Sequence, residues 1–489
     1  MVLEVLSRDD VYAIHMAAME VLERVGIVFQ HEIALKLLRD AGANIDDKMM
    51  AARFPEYLVR EAVRKVPSQV IFEARNPNYN LKIGGGRTHF TNAFGADHTI
   101  DLGTGERRAA TLKDLEEFTL LSDYFSTVDY VKPNIIPQDV PKSILEQSMA
   151  LAQFKYTEKH CSPVALTLQG WRDTIRMAMT LAGGEESFRK NPAILDTGFN
   201  NVPPLKYSRE IVDLMLECAR YRIAFDISSG ALASASGPVT IAGTLVQAIA
   251  ENMGALVLTQ LAGPGTPMLW GSCATILDQK HGTAAYGAPE NGLLHVAFIQ
   301  MARYYGLPYY GAAGVVDSKA ADGQAAFENT FNALIATLAG ADVVHDGVYG
   351  ILEAGVTACY EQFVISHDIC SAIKRIARGI KVDTDTLAVD IIKAVGHQKN
   401  FLTELSAVKH TRCHIQEEHW QPLIVDRTPR ADWEEKGCKD VVKRAREKAK
   451  EIIATHKVQP LDKDVEAEMN KIVKEAITRA TYPGPLSGH

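Results

Sequence analysis

From about residue 111 onward the sequence alternates short apolar runs with helical patterns, and this alternation predicts an α/β fold. The stretch from Pro308 to Ile365 shows the unit: an apolar run, a polar turn, a small-residue helical pattern and a second apolar run. This order is a βαβ unit, because two parallel strands need a crossover connection between them. About eight strands with alternating helices over roughly 260 residues have the count and size of a TIM (β/α)8 barrel.

The elements of the predicted barrel follow in a regular order after a helix at 111–123. The predicted strands cover residues 128–137, 162–168, 193–199, 223–229, 266–273, 307–314, 341–346 and 361–367. The predicted helices cover residues 143–156, 171–182, 208–221, 240–261, 289–305, 322–338 and 353–360. A doubly wound open sheet competes with the barrel, but it opens a helix with G-x-G-x-x-G after its first strand. The nearest candidate here, Gly230 to Gly237, has the wrong spacing, so the barrel is favoured.

Two further regions flank the barrel, which is predicted to occupy residues 111–380. Residues 1–110 predict an N-terminal helical and β-hairpin cap, with helices near 9–25, 32–41 and 54–66 followed by strands between 70 and 108. The triple glycine at 84–86 is interpreted as a hairpin turn, because no helix follows it to cradle a phosphate. Residues 381–489 predict a charged C-terminal helical extension.

Composition restricts the class of protein. The chain has 489 residues and a net charge of −8, with no basic stripe that would indicate a nucleic-acid partner. The N-terminus is charged and amphipathic, unlike a signal peptide, and no apolar run reaches the roughly 20 residues that a membrane span needs. The seven cysteines are scattered, which is typical of a reducing compartment. We therefore expect a cytoplasmic protein with no membrane contact.

Most signature motifs of catalysis are missing from the sequence, including the Walker loop, G-x-S-x-G and H-E-x-x-H. The best metal candidate is the run from 409 to 420, whose possible ligands are His410, Cys413, His414 and His419. Because exposed charges flank this run, a polar surface helix is the preferred interpretation, and no metal site is assigned.

The residues at the predicted strand ends are rich in aromatics, amides and small side chains. Aromatic faces beside glycine and serine suit a cationic small molecule, with amides and a histidine for a carboxylate. The competing interpretation of each aromatic is packing between barrel and helices. A lyase or isomerase that uses His345 and Lys319 on a small carboxylate also stays open at this point.

Four segments of the chain resemble motifs of the trimethylamine methyltransferase superfamily. They are DLGTGERRAATLKDLEEF (101–118), ARYYGLPYYGAAG (302–314), DSKAADGQAAFE (317–328) and LEAGVTACYEQFVI (352–365). The resemblance covers about residues 15 to 480. It implies a TIM barrel that transfers a methyl group from a methylamine to the Co(I) of a cognate corrinoid protein, in anaerobic methylotrophic or acetogenic metabolism. It also implies that the chain binds no cofactor tightly, since the corrinoid (cobalamin) belongs to the partner.

The sequence contains only standard residues, so it resembles the branch of the superfamily that lacks pyrrolysine. That branch is known for quaternary amines such as glycine betaine. A quaternary nitrogen is permanently cationic, so the protein has only to desolvate it and align one methyl group with cobalt.

The resemblance suggests roles for named residues, and it assigns no catalytic side chain because cobalt is the nucleophile. The substrate-binding candidates comprise an aromatic enclosure, a carboxylate-binding end and a negative field from Glu353 and Asp226. The candidates for the aromatic enclosure are Phe94, Phe199, Trp270, Tyr310 and Tyr349. The candidates for the carboxylate-binding end are His345 and Asn200. The corrinoid-facing candidates are Ser229, Gly230, Gly271 and Ser272. A betaine-binding module without activity remains an alternative, and a homodimer is possible.

Overall fold

The computed structural model describes residues 3–481, so residues 482–489 of the predicted extension lie outside it. The N-terminal region contains the three predicted helices and a set of short strands. Its elements are α1 (Arg8–Arg24), β1 (Ile27–Phe29), α2 (Glu32–Asp40), β2 (Asn44–Asp46), β3 (Ala51–Arg53), α3 (Glu56–Lys65), β4 (Val70–Phe72), a 3-10 turn (Pro77–Tyr79), β5 (Leu81–Ile83), β6 (His89–Asn92), β7 (His98–Ile100) and β8 (Arg107–Ala109).

The central region carries the alternating strands and helices that the periodicity predicts. Its elements are α4 (Leu112–Tyr124), a 3-10 turn (Lys142–Ile144), α5 (Leu145–Tyr156), α6 (Leu168–Leu181), α7 (Glu185–Lys190), β9 (Asp196–Asn200), β10 (Lys206–Tyr207), α8 (Arg209–Tyr221), β11 (Ala224–Ser229), β12 (Leu232–Ala233), α9 (Ile241–Ala262), β13 (Met268–Ser272), β14 (Thr275–Asp278), β15 (Thr283–Ala285), α10 (Pro289–Tyr305), β16 (Tyr309–Ala312), α11 (Gly323–Ala339), β17 (Val343–Val348), β18 (Ile351–Leu352), β19 (Thr357–Cys359) and α12 (Tyr360–Ala377).

Five strands of the central region and β6 of the N-terminal region form one parallel sheet in the order β6-β17-β16-β13-β11-β9. Isolated parallel bridges continue beyond both edges, from Thr91 to Tyr130, from Val131 to Cys161, and from Cys161 to Leu195. The α/β fold class is therefore confirmed. Five predicted strands appear as β9, β11, β13, β16 and β17. The stretch predicted at 128–137 contributes only isolated bridges, at Tyr130, Val131 and Ile135, and that predicted at 162–168 contributes none, because the bridged residue is Cys161.

The strand predicted at 361–367 is wrong, because these residues begin helix α12. Their buried positions continue along α12 with helical spacing through Phe363, Val364, Cys370 and Ile373, which a short apolar window does not reveal. The helix predicted at 353–360 is also wrong, since a turn at 353–356 and strand β19 occupy that stretch. The neighbour of β17 is instead β6, so the sheet takes a strand from residues predicted to belong to the cap.

A hairpin of the N-terminal region covers the amino end of the sheet. Strands β4 and β5 pair antiparallel, and their Val70, Phe72 and Ile83 are buried. These side chains form a separate apolar cluster with sheet residues near the starts of the strands, namely Tyr130, Ala224, Leu269, Tyr310 and Val343. The amino end of the sheet is thus filled by side chains, which leaves the carboxyl end as the place for a cavity.

Helix α9 is long and apolar enough to cross a membrane, judged by length and composition alone. However, 72% of its most apolar window is buried inside the protein. It packs against α1 and α3 of the N-terminal region as well as against β11. These contacts are typical of a core helix.

The C-terminal extension is helical, as predicted. It consists of α13 (Val389–Val395), α14 (Leu405–Glu418), α15 (Arg430–Glu435), α16 (Val441–Thr455) and α17 (Lys463–Thr481). Helix α16 packs on α12 and α4, and α17 packs on α6 and α5. The Arg446 guanidinium donates to buried Glu361 at 2.6 Å, which ties α16 to α12.

Two glycines at the strand ends give a matched test of the packing in this sheet. A Cβ added at Gly271 would lie 1.5 Å from the Tyr310 carbonyl oxygen, so β13 and β16 could not keep their present separation. We predict that Gly271→Ala lowers the free energy of unfolding by about 3 kcal/mol. Urea unfolding followed by circular dichroism measures the loss.

Gly230→Ala is the control, because a Cβ at Gly230 would meet nothing within 4 Å. We expect its free energy of unfolding to stay within about 0.5 kcal/mol of the parent value. Equal losses in the two variants would contradict the close approach of β13 to β16.

Candidate functional site

A cavity of about 110 Å³ lies where the sheet strands end. Residues of strands β9, β11, β16 and β17 supply part of its wall, and loops from the N-terminal and central regions supply the rest. The lining residues are Phe94, Lys132, Ser162, Pro163, Val164, Thr197, Gly198, Asn200, Asp226, Cys273, Tyr310 and His345. This is the edge at which α/β folds place their ligands.

A buried ion pair stands in the cavity wall. The Lys132 ammonium donates to Asp226 Oδ1 at 2.9 Å, and both side chains are less than 10% exposed. Nζ of Lys132 also lies 4.8 Å from the centre of the Tyr310 ring. Burial raises the pKa of the Asp226 carboxyl to about 6, against the opposing effect of Lys132. Burial alone would lower the pKa of Lys132, but Asp226 and Asp196 outweigh it and raise that pKa.

Gly198 makes room for this ion pair. Gly198 lies opposite Asp226 on the neighbouring strand β9. A Cβ on Gly198 would lie 2.3 Å from Asp226 Oδ1, inside the space that the carboxylate occupies. The absence of a side chain at residue 198 is therefore a steric requirement of the pair.

His345 and Asp346 form the second polar group of the site. Nδ1 of His345 lies 3.0 Å from Asp346 Oδ1, and the imidazole centre is 4.9 Å from that of Tyr310. Burial and the nearby Lys132 hold the pKa of His345 well below its ordinary value. Burial raises the pKa of Asp346 well above its ordinary value. Burial thus disfavours the charged form of both His345 and Asp346, and the ion pair of the site is the one between Lys132 and Asp226.

The backbone at Asp346 is unusual, and two buried polar atoms of the site lack partners. Asp346 has φ +62, where the register between β17 and β6 shifts. Among residues 3–481, the cavity-lining Ser162 hydroxyl has no hydrogen-bond partner, and His345 Nδ1, although 3.0 Å from Asp346 Oδ1, is not aligned with it for a hydrogen bond. Strained backbone and unsatisfied buried groups are concentrated at binding sites, where a ligand or water completes the hydrogen bonding.

Four of the predicted substrate-binding residues line this cavity: Phe94, Asn200, Tyr310 and His345. Two others pack within the core. Phe199 lies 5.3 Å from Phe225 between ring centres, and Trp270 packs on Phe298 and Tyr305 of α10. For these two aromatics the geometry favours the core-packing interpretation over an aromatic enclosure.

The remaining two predicted substrate-binding residues lie in the segment after β17. Tyr349 is buried, and its carbonyl accepts from Ser366 of α12. Glu353 occupies a turn with φ +57, accepts from Thr357 and lies 3.5 Å from Arg107. These contacts give Glu353 a local structural role.

Three of the four predicted corrinoid-facing residues lie beneath the surface. The Ser229 hydroxyl donates to Glu251 of α9 at 2.5 Å, and Ser272 Oγ accepts from the Ala274 amide. Gly271 is also buried and faces the Tyr310 carbonyl. Gly230 is partly exposed.

The motif Asp317-Ser318-Lys319 shapes a loop. The Asp317 carboxylate accepts from the amides of Tyr286 and Gly287, and Ser318 donates to Asp322, the N-cap of α11. Lys319 is exposed and donates to the Asp317 carbonyl at 2.6 Å. These contacts account for the polar residues of the motif.

Sequence reasoning missed Lys132, the central charge of the site. Its signal was present, because Lys132 is a lone cation in the apolar run predicted as the strand 128–137. A lysine that is buried in this way needs an anionic partner. Asp226 is 94 residues away in sequence, so only the fold identifies the pair.

We predict that Lys132→Met lowers the free energy of unfolding by about 3–5 kcal/mol, because it leaves the Asp226 carboxylate buried without a counter-charge. Urea unfolding at pH 7.5 measures the loss. The matched double variant Lys132→Met/Asp226→Asn removes that charge as well, and should recover most of the stability. The single variant Asp226→Asn completes the cycle. If the loss in the double variant equals the sum of the losses in Lys132→Met and Asp226→Asn, the two groups do not interact.

Comparison with known proteins places the chain in a family. The profile of the trimethylamine methyltransferase (MTTB) family matches residues 1–479. The trimethylamine methyltransferase MttB of Desulfitobacterium hafniense is 35% identical over 96% of this chain and 93% of its own length. That of Methanosarcina barkeri is 34% identical, with 97% and 95% covered. A glycine betaine methyltransferase of Desulfitobacterium hafniense is 30% identical over 96% of both chains.

The crystal structure of the Methanosarcina barkeri monomethylamine methyltransferase is also similar, with 11% identity and a TM-score of 0.48 over 93% of this chain and 96% of that one. The family that the sequence motifs indicated is confirmed by the profile match and by the identity to the MttB proteins. The chain belongs to the trimethylamine methyltransferase (MTTB) family and is a methyltransferase.

Proposed function

We propose that this methyltransferase demethylates a quaternary amine that carries a carboxylate, such as glycine betaine, and transfers the methyl group to the Co(I) of a cognate corrinoid protein. The observation that carries the proposal is the buried Lys132 ammonium in the cavity wall. The relative that is named a glycine betaine methyltransferase supports the same substrate class.

The charges of the cavity favour a zwitterion over a simple cation. A protonated amine about 4 Å from Lys132 would be repelled by about 4 kcal/mol at an effective dielectric constant of about 20. Asp226 offsets this repulsion only in part, because Lys132 already engages it. A betaine brings its own carboxylate for the Lys132 ammonium, so the two charges of the substrate find complementary groups.

The burial gradient gives the substrate a direction. Lys132 is almost fully buried, whereas Phe94 at the cavity rim is 40% exposed. With its carboxylate toward Lys132, a betaine places its trimethylammonium head toward Phe94 and the opening. The ring of Phe94 offers a cation–π face that stabilises such a head. One N–CH3 bond then points out of the site, where a partner protein can approach.

The chemistry needs little from the protein once the substrate is aligned. The methyl carbon forms its new bond to Co(I), the C–N bond breaks, and the nitrogen retains the electron pair as a neutral tertiary amine. This chain contributes binding, orientation and the exclusion of water. A neutral His345 suits this role, because a second cation in the cavity would oppose the positively charged head.

The lyase or isomerase alternative gains no support from the site. It required His345 and Lys319 on one substrate, but Lys319 is exposed and donates to its own loop.

We also infer that the six-stranded sheet and the bridges at Tyr130, Val131 and Cys161 form one eight-stranded barrel, because the bridges continue from both edge strands. Such a ring places the cavity at the carboxyl end of every strand.

A coupled assay tests the reaction. The purified chain is mixed with Co(I)-reduced corrinoid protein, or cobalamin as a surrogate, and each member of a panel of methylated amines. We expect the Co(I) spectrum to convert to methyl-Co(III) with a betaine and not with trimethylamine. Binding of a betaine without methyl transfer to the cognate partner would indicate a binding module, and conversion with trimethylamine alone would contradict the proposal.

The pH dependence tests the part played by Asp226. Burial raises its pKa to about 6, whereas burial lowers the pKa of His345 and raises that of Asp346. Below about pH 6 the protonated Asp226 no longer competes for the Lys132 ammonium, so we expect the KM for a betaine to fall as the pH falls from 7.5 to 5.

The matched variant is Asp226→Asn, which cannot ionise. We expect its KM at pH 7.5 to be lower than that of the parent protein and to change little between pH 7.5 and 5. An acid limb that is the same in this variant and in the parent protein would assign the titration to another group.

A further inference from the structure

The segment from 380 to 420 in the C-terminal extension has very little core. Its helices α13 and α14 contact each other, but Val395 and Ala407 are their only fully buried residues in the described chain. By contrast, several large apolar side chains are mostly exposed, among them Ile380, Val382, Leu402 and Leu405. A unit that buries so little apolar surface needs another source of stability, for which small folds use disulfides or metals.

Three potential metal ligands meet in this segment. His410 and His414 are one turn apart on α14, with ring centres 4.3 Å apart. Asp385, from the turn before α13, places Oδ2 at 3.3 Å from Nε2 of His414. One ligand atom from each of the three residues lies within 4.8 Å of the other two.

His410 provides an independent sign that the group is incomplete. Its Nε2 atom is buried, yet it has no hydrogen-bond partner within residues 3–481. A surface helix would leave such a nitrogen to water, and a simple ion pair between Asp385 and His414 gives His410 no part. An imidazole nitrogen without a hydrogen-bond partner can donate its lone pair to a metal ion. His410 lies beside a second imidazole and a carboxylate, which are the other ligands that such an ion needs.

We propose that Asp385, His410 and His414 bind a divalent transition metal, with Zn²⁺ as the best match. Two imidazoles and one carboxylate suit zinc, with a water in the fourth position, whereas Mg²⁺ and Ca²⁺ prefer oxygen ligands alone. Ligand distances of about 2.1 Å require the ligand atoms to lie roughly 3.4 Å apart, so small side-chain rotations complete the site. Of the four residues singled out in the sequence, His410 and His414 belong to this group, and Asp385 joins them from a distant turn.

The metal has a structural purpose here, and it is independent of methyl transfer. It links the turn at 383–388 to α14 and so holds the two poorly packed helices together. Metal binding of this kind contributes folding free energy directly. It also fixes the exposed apolar face of the segment in one arrangement.

Zinc titration of the full chain tests the site. The protein is first dialysed against a chelator and then titrated with Zn²⁺ in competition with a chromogenic indicator. We expect about one tight equivalent per chain, and an affinity at least about 10-fold lower in Asp385→Asn and in His414→Gln. Hydrogen exchange gives a second readout, in which zinc should protect the amides of 381–417 and leave the sheet strands unchanged.

His419→Gln is the matched control, since His419 is exposed on the same segment and lies outside the group. Its zinc affinity should equal that of the parent chain, and the melting curves of all variants should show that the sheet region stays folded. The proposal is overturned if the parent chain takes up no zinc, if Asp385→Asn binds as tightly as the parent, or if His419→Gln loses as much affinity. Preferential uptake of Fe²⁺ would overturn the assignment to zinc.

Discussion

The buried pair of Lys132 and Asp226 is the constraint on which the rest of the site depends. Moving a charge out of water costs desolvation free energy, and the attraction of an opposite charge at close range offsets that cost. Here the two groups lie 2.9 Å apart in the cavity wall. The pair requires a glycine at residue 198, and the charge of its Lys132 adds to the burial that lowers the pKa of His345. A buried ion pair of this kind contributes little net stability, so its presence is best explained by the ligand that it binds.

The surrounding fold serves this pair in two ways. The β4–β5 hairpin and its apolar cluster fill the amino end of the sheet, whereas the cavity includes residues that follow strands, such as Phe94 and Cys273. Trp270 packs on helix α10 and Phe199 packs on Phe225 of β11, so the cavity wall combines polar groups with a few apolar side chains and the rings of Phe94 and Tyr310. A site lined in this way suits a substrate that carries both charges.

Local sequence patterns predicted much of this architecture, but not the long-range pairs. Helices such as α8 and α10 have strong amphipathic or capped sequences, and their predicted bounds agree with the structure within one residue. The strand β6 was misassigned to a hairpin because its neighbour β17 lies about 250 residues later, and pattern reasoning does not see such distances. For the same reason, sequence patterns did not predict that Lys132 contacts Asp226 or that Asp385 contacts His414. Aromatics at strand ends were over-assigned to the site, since alternation places every second side chain toward the helices.

The most direct test of the central claim is a comparison of two ligands that share a quaternary ammonium head. Isothermal titration calorimetry at pH 7.5 measures the affinity of the chain for glycine betaine and for tetramethylammonium, which lacks the carboxylate. If the Lys132 ammonium binds the carboxylate, glycine betaine binds at least about 10-fold more tightly, the gain of one charge-assisted hydrogen bond. Equal affinities, or tighter binding of tetramethylammonium, would contradict the assignment of Lys132 to the carboxylate.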